Sequence, residues 1–440
     1  MNATRISLSA GTFAVISVAL ICGCDSSVKQ FPPNRVHALV VEASRDVPTD
    51  AAMTDVERLV SAWFGTPDEP RWPAEWIESS AGKRLVNLEN LTRASGRVYS
   101  DKQNRHFGLY TEHCVTCHGI AGGGDGPASL LQNPYPRDVR AGIFKWKSTE
   151  RASKPTRDDL AKLLLRGAPG TGMPSFSSVG TEDREALVDY IIYLAVRGEF
   201  ERKLLADAVD ELGYEDSRPD DDANLATLAS LAGDADPNRR RHDALEVAQD
   251  RLNEVVDSWS HTEKEVISVP PETPFDTESV RRGREIFHGV AGGVVNCAGC
   301  HGPDGDGTVT TVDFDDWTKE FTTRLSISPE DRDAVKPFRD AGALRPRQIF
   351  PRKLNQGIYR GGGKGETLYR RVVAGIAGTP MPASPVKEQA SATCLTPDQV
   401  WDVVHYVQSL GGARPTAKQP NAQPSGDTPT ASSPDEGVTQ

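Results

Sequence analysis

Residues 114–118 read CVTCH, and residues 297–301 read CAGCH. Each stretch holds two cysteines separated by two residues, with a histidine immediately after. Three chemistries use such pairs. A thioredoxin-like redox pair needs a βαβ setting, and neither pair has one. Half of a zinc site needs two further ligands nearby; His113 precedes the first pair, but nothing equivalent flanks the second. The third chemistry needs nothing more than the five residues themselves. Two thiols at this spacing add across the two vinyl groups of one porphyrin, and the histidine that follows is held under its iron. The Cys-x-x-Cys-His signature therefore reads as covalent c-type haem attachment at both places, through Cys114, Cys117 and His118, and again through Cys297, Cys300 and His301.

The methionines complete the pattern. The chain has four: Met1, Met53, Met173 and Met381. The last two sit in "PGTGMPSF" (169–176) and "AGTPMPAS" (377–384), which share Gly-Thr-x-Met-Pro. Gly and Pro make these loops, where a methionine gains little from burial. An iron bound by one histidine has a sixth position to fill, and thioether sulfur is a soft ligand that raises the reduction potential. Met173 and Met381 are therefore the expected sixth ligands. The motif "PRDVRAGIFK" (136–145) recurs as "PRKLNQGIYR" (351–360), an internal repeat. Its arginines, Arg137 and Arg352, are either planar forks for haem propionates or solvent-exposed side chains. Phe144 and Tyr359 are expected to pack on haem or core.

Each half resembles a class I cytochrome c domain, over roughly residues 97–200 and 276–412. The resemblance implies a small all-α fold around one covalent haem, closed by a terminal helix. "TPDQVWDVVHYVQSLGG" (396–412) fits that helix, with Thr396 as N-cap, Pro397 at the first position, Gln399 completing a capping box and Gly411 at the end. "TEDREALVDYIIYLAVRG" (181–198) is its counterpart. His405, on the second helix, is read as a surface residue. The halves differ in instructive ways. Tyr110 stands four residues before Cys114, whereas Phe287 is separated from Cys297 by a glycine-rich "GVAGGV". The loop "GGGDGPAS" resembles the family segment whose proline carbonyl holds the proximal histidine, but Thr308 stands where Pro127 does. The second half also carries a long charged insertion between His301 and Pro351, read as a lid or docking surface.

The rest of the chain sets the context. Arg5, a short apolar run and Cys24 after small residues read as a secretory signal, resembling a lipoprotein signal with lipid on the Cys24 thiol. The apolar run is short for a membrane span. Cys22 would leave with the signal peptide, and Cys394 is left over as a buried thiol. Net charge is −12 in 440 residues, which argues against nucleic acid as a partner. The expected organisation is mainly α. A signal peptide occupies 1–23. A lipid-tethered, irregular Trp/Pro-rich N-terminal extension (24–96) holds Trp63, Trp72 and Trp76 and wraps the first domain or docks a partner. Two cytochrome c domains, 97–200 and 276–412, are joined by a helical acidic linker (201–275), and a disordered tail follows (413–440).

The function implied is a periplasmic, membrane-tethered dihaem electron carrier with two haem c groups and no catalytic residue. It would run between redox protein partners such as a quinol-oxidising complex and a terminal oxidase or reductase. Two alternatives stand beside it: a dihaem cytochrome c peroxidase, which needs an open sixth position, and a haem-bearing subunit of a larger respiratory complex.

Overall fold

The longest element of the chain is a helix, Thr181–Glu211. Its middle is buried all round, from Ala186 through Val196 without an exposed residue. A helix without a polar face must be covered on every side, and here the cover comes from three parts of the sequence. Helix Leu88–Ala94 and helix Asp50–Phe64 pack from the N-terminal side, and helix Asp243–Ser260 packs from the linker. The computed structural model describes residues 30–220, 223–231, 243–290, 295–308, 313–389, 391 and 394–415.

The sequence boundary at residue 200 falls inside this helix. Alternation of apolar residues persists through Leu204, Leu205, Ala208 and Val209, all buried, so nothing stops the helix where the cytochrome-like pattern ends. The linker thus packs on the first domain and shares its core, from Phe31 to Trp259. The N-terminal extension shares it too. Two helices, Arg35–Arg45 and Asp50–Phe64, open the extension, and its irregular part follows them. The tryptophans are packing residues. Trp63 stacks on Trp76 at 5.2 Å and on Phe200 at 5.5 Å, a favourable offset range for aromatic pairs. Trp72 donates its indole N–H to the Gly82 carbonyl at 3.1 Å. Tyr193 ties the long helix to the extension by donating to the Phe64 carbonyl at 2.6 Å.

The second half is built on a helix crossing. Helix Thr277–Phe287 lies against helix Pro397–Leu410. The closing helix starts as its sequence dictates: Thr396 accepts from Gln399 N–H, Gln399 returns the bond, and Pro397 takes the first turn. Gly283 lets the two backbones touch, since a Cβ there would sit 1.9 Å from the Asp402 carbonyl oxygen. Phe287 meets Tyr406 edge-on at 5.1 Å. His405 is not at the surface, as its sequence setting suggests, but fully buried. It is one turn from Trp401 and on the inward stripe, where Phe275 covers its ring at 5.0 Å. Ser279 and Glu272 satisfy its two nitrogens.

The insertion reaches across to the other half. Its helices Asp316–Glu320 and Arg332–Asp340 enclose a small core of Phe321, Val335, Phe338 and Ala343. Val36, Leu39 and Val40 of the first helix fill the remaining side of that core. His37 faces Glu320 at 3.1 Å, and Arg202 pairs with the same carboxylate. Burial opposes the Glu320 charge, but these two partners outweigh it and hold the carboxyl at about 2. Among the described residues no helix is long and apolar enough to cross a membrane. The signal segment with Cys24, the glycines of 291–294, Asp221 and Asp222 of the acidic linker, and the tail from 416 lie outside the described residues.

Candidate functional site

In both halves the Cys-x-x-Cys-His stretch forms one turn of helix, Val115–His118 and Ala298–His301. His118 N–H donates to the Cys114 carbonyl at 2.8 Å, and His301 N–H donates to that of Cys297 at 2.8 Å. Residues three and four apart on a helix share a face, so two thiols and an imidazole point the same way. Burial pushes the Cys114 thiol up to about 12 and the Cys297 thiol up to about 11. Burial also lowers His118 and His301 from the ordinary histidine value, which favours the neutral ring.

The two rings are oriented alike. His118 Nδ1–H donates to the Arg137 carbonyl at 3.1 Å, and His301 Nδ1–H donates to the Arg352 carbonyl at 3.0 Å. A carbonyl can only accept, so each bond places the proton on Nδ1 and leaves Nε2 bare for a metal. This corrects the expectation drawn from Pro127. The acceptor comes from the repeated Pro-Arg motif, so Thr308 in place of Pro127 costs no control of the tautomer. Thr308 donates its hydroxyl to Asp306 at 2.6 Å.

The methionine loops are also the same structure twice. Thr171 Oγ1 donates to the Ala168 carbonyl at 2.7 Å and accepts from Met173 N–H at 3.1 Å. Thr379 Oγ1 donates to the Ile376 carbonyl at 2.9 Å and accepts from Met381 N–H at 3.3 Å. Each methionine carbonyl then closes the loop on the N–H of Ala168 or Ile376, at 3.2 Å in both. This explains the threonine of Gly-Thr-x-Met-Pro: one hydroxyl pins both ends of the turn. The glycine that ends the preceding helix, Gly167 or Gly375, has φ +66° and packs directly on the proline segment after the methionine. No L side chain fits there.

These parts converge. Both histidines, both methionines and all four cysteines line one continuous cavity of about 740 Å³. Phe144 and Tyr359 line it as well.

The Cytochrome c family model matches residues 107–195 and 280–411, together about half of the chain. The chain belongs to the cytochrome c family. No curated protein matches it. Among solved structures, a chain of the Kuenenia stuttgartiensis reducing HAO-like protein complex is similar at 21% identity, over 69% of this chain and 94% of that one, with a TM-score of 0.41.

A cytochrome c holds its haem covalently, and this cavity fits such a group on evidence beyond the ligands. Its charged lining is mostly cationic, and part of it is unsatisfied. Arg137 Nη2 and Arg360 Nε are buried with no hydrogen-bond acceptor, the nearest carboxylate to Arg137 being Asp315 at 3.7 Å. Burial, then Arg137, pulls Lys145 down to about 8, even with Asp315 beside it. Burial, then Arg166, pulls Arg371 down to about 10, and burial with Arg352 lowers Arg360. A largely apolar cavity that depresses its own cations calls for anions, and haem propionates are carboxylates. Arg137 and Arg352 are both partly buried, Arg352 making its side-chain bonds at the exposed edge, and their backbone carbonyls hold the two histidines. Lys145 and Arg360 are the final basic residues of the repeated "PRDVRAGIFK" and "PRKLNQGIYR" motifs, a signal the sequence carried. Arg371 had none.

Proposed function

We propose that this chain is a dihaem c-type cytochrome that passes single electrons between respiratory-chain partners from a lipid-tethered position in the periplasm. One observation carries the reading: the complete ligand set occurs twice with the same internal geometry, opening into one shared cavity. Cys114 and Cys117 would hold one haem and Cys297 and Cys300 the other, with His118 and Met173, and His301 and Met381, as axial ligands. Haem iron supplies the one-electron chemistry. The chain does the rest.

The Arg137 and Arg352 carbonyls fix each imidazole, and their guanidinium groups, with Lys145, Arg360 and Arg371, would take the propionates. Apolar walls exclude water, so little solvent reorganises around a charge change. The pinned methionine loops would hold Met173 and Met381 as ligands to the two haems, which favours electron transfer over substrate binding. With both groups bound in one shared cavity, an electron entering at one would leave at the other. The partners proposed are a quinol-oxidising complex on one side and a terminal oxidase or reductase on the other, and the tether is lipid on Cys24.

The test is the protein matured with haem. Intact mass should show two haems per chain, and Cys114→Ala with Cys117→Ala should remove one of them. A redox titration should find both haems with the far-red Met–iron band of the ferric form. A high-spin haem lacking that band would favour the peroxidase instead, and a single haem by mass would end the dihaem reading. Fractionation of the native membrane tests the tether, and co-purification with an oxidase or reductase separates a fixed subunit from a free carrier.

A further inference from the structure

The two methionine loops are alike internally but not externally. Arg151, in the first half, lies against the loop of the second. Its Nη1 donates to the Met381 carbonyl at 2.6 Å and its Nη2 to the Thr379 carbonyl at 2.8 Å. Among the described residues, no side chain makes the corresponding bonds to Met173 or Thr171. We propose that Arg151 is a positioning residue for the sixth ligand of the second haem, supplied by the other domain. The inference rests on the reading of Met381 as that ligand.

The segment that carries Arg151 is built to hold it still. Glu150 N–H donates to the Glu265 carbonyl at 3.1 Å, and Ile267 N–H donates to that of Ser148 at 3.0 Å. Together with the Thr149–Val266 bridge they pair this loop with the linker. Thr149, fully buried, donates to the Lys154 carbonyl at 2.7 Å. Lys147 gathers the carbonyls of Glu150, Arg151 and Ser153 around its ammonium. The linker segment is tied in turn to the second domain, where Arg370 Nε donates to the Ile267 carbonyl at 3.0 Å. Arg370 lies on helix Gly365–Ala374, which leads directly into the Met381 loop. The loop is therefore gripped at both ends through one junction.

A guanidinium suits this role. Its planar fork reaches two carbonyls of one turn at once, where an ammonium would act as a point charge. The bonds are charge-assisted and partly buried, so they resist outward movement of the turn that presents the sulfur. The repeat offers no equivalent, since "STERASK" (148–154) of the first half is replaced by "GGGKG" (361–365) in the second. The consequence is an asymmetry. Met173 stays on its iron through its own domain. Met381 stays on its iron only while the first domain, the linker and the second domain are docked.

The experiment compares the full-length, haem-loaded protein with its Arg151→Ala, Arg151→Lys and Met381→Ala variants. Each is read by the ferric far-red Met–iron band, by carbon monoxide binding to the ferrous form, and by redox titration. Met381→Ala identifies the band and potential that belong to the second haem. Arg151→Ala should lose that same band, open that same iron to carbon monoxide and lower that potential, with the first haem unchanged. Arg151→Lys should give an intermediate loss. Retention of both bands without carbon monoxide binding in Arg151→Ala would overturn the proposal. So would loss of both bands together, which would mark general unfolding. If the wild-type protein itself lacks a Met band that Met381→Ala removes, the ligand reading fails first, and the inference falls with it.

Discussion

Gly283→Ala is the substitution whose cost can be worked most directly from the structure. Gly283 lies inside helix Thr277–Phe287, where alanine is ordinarily better than glycine by about 1 kcal/mol. Here the new Cβ would lie 1.9 Å from the Asp402 carbonyl oxygen and 2.9 Å from Tyr406 Cβ. Real Cβ contacts essentially never fall below 3.0 Å, so the helices must separate by more than an ångström. Neither contact is the tip of a flexible side chain: one is backbone and the other a Cβ fixed to it. A gap of 0.5–1 Å forfeits roughly a quarter to a half of each dispersion contact along the crossing, and overpacked sites typically lose about 1–3 kcal/mol. The propensity gain offsets part of this. A net destabilisation of about 1 kcal/mol, rising to about 2 if the crossing cannot relax, is expected, confined to the second domain. On the proposed dihaem reading, urea unfolding of the haem-loaded protein followed at the far-red band assigned to Met381 should show an earlier midpoint, with the transition of the Met173 band in place. A neutral or stabilising Gly283→Ala would refute the claim that this glycine is what lets the crossing close.

Other perturbations test separate parts of the argument. Asp55 is buried and takes bonds from Arg218 at 2.6 and 2.8 Å and from Tyr214 at 2.9 Å; Arg218→Ala should cost about 2 kcal/mol in denaturant unfolding, less than an entirely buried pair would. Burial holds His405 below its ordinary value although Glu272, Asp402 and Asp276 pull the other way. The unfolded chain, near 6.5, then takes up a proton that the folded chain refuses, so His405's contribution is full above that pH and is lost as pH falls through it, by at most about 1.4 kcal/mol per unit. His405→Phe should flatten the stability profile between pH 7 and 5, and an unchanged slope would exclude His405 as its source. Arg360→Met removes a buried cation from the cavity, which should favour the ferric state and lower a haem potential in a redox titration; an unchanged potential would place Arg360 outside the haem's field.

The local geometry of the site's short motifs was legible in the sequence because it needs no distant contact. Cys-x-x-Cys-His needs only one helical turn to aim its groups, and Gly-Thr-x-Met-Pro needs only one hydroxyl to pin its turn. The capping box at Thr396 is equally short-range. The burial of His405 was not legible, because a helical stripe does not reveal whether another segment, here Phe275 and Glu272, lies over it. The role of Pro127 was misread for a related reason. Several carbonyls in sequence could reach the proximal histidine, and only the path of the chain selected those of Arg137 and Arg352.

Residue types and their spacing, then, determined on their own that this chain carries the cytochrome c motifs, each written twice. A covalent attachment signature and an axial ligand loop are complete within a few residues and survive in any surrounding. Tertiary structure alone decided that the two sets open into one cavity, that the extension and linker bury a single long helix, and that Arg151 of one half grips the methionine loop of the other. Those facts depend on contacts between residues from 60 to 230 positions apart. Such contacts arise from the packing of whole helix faces, and no short pattern encodes them.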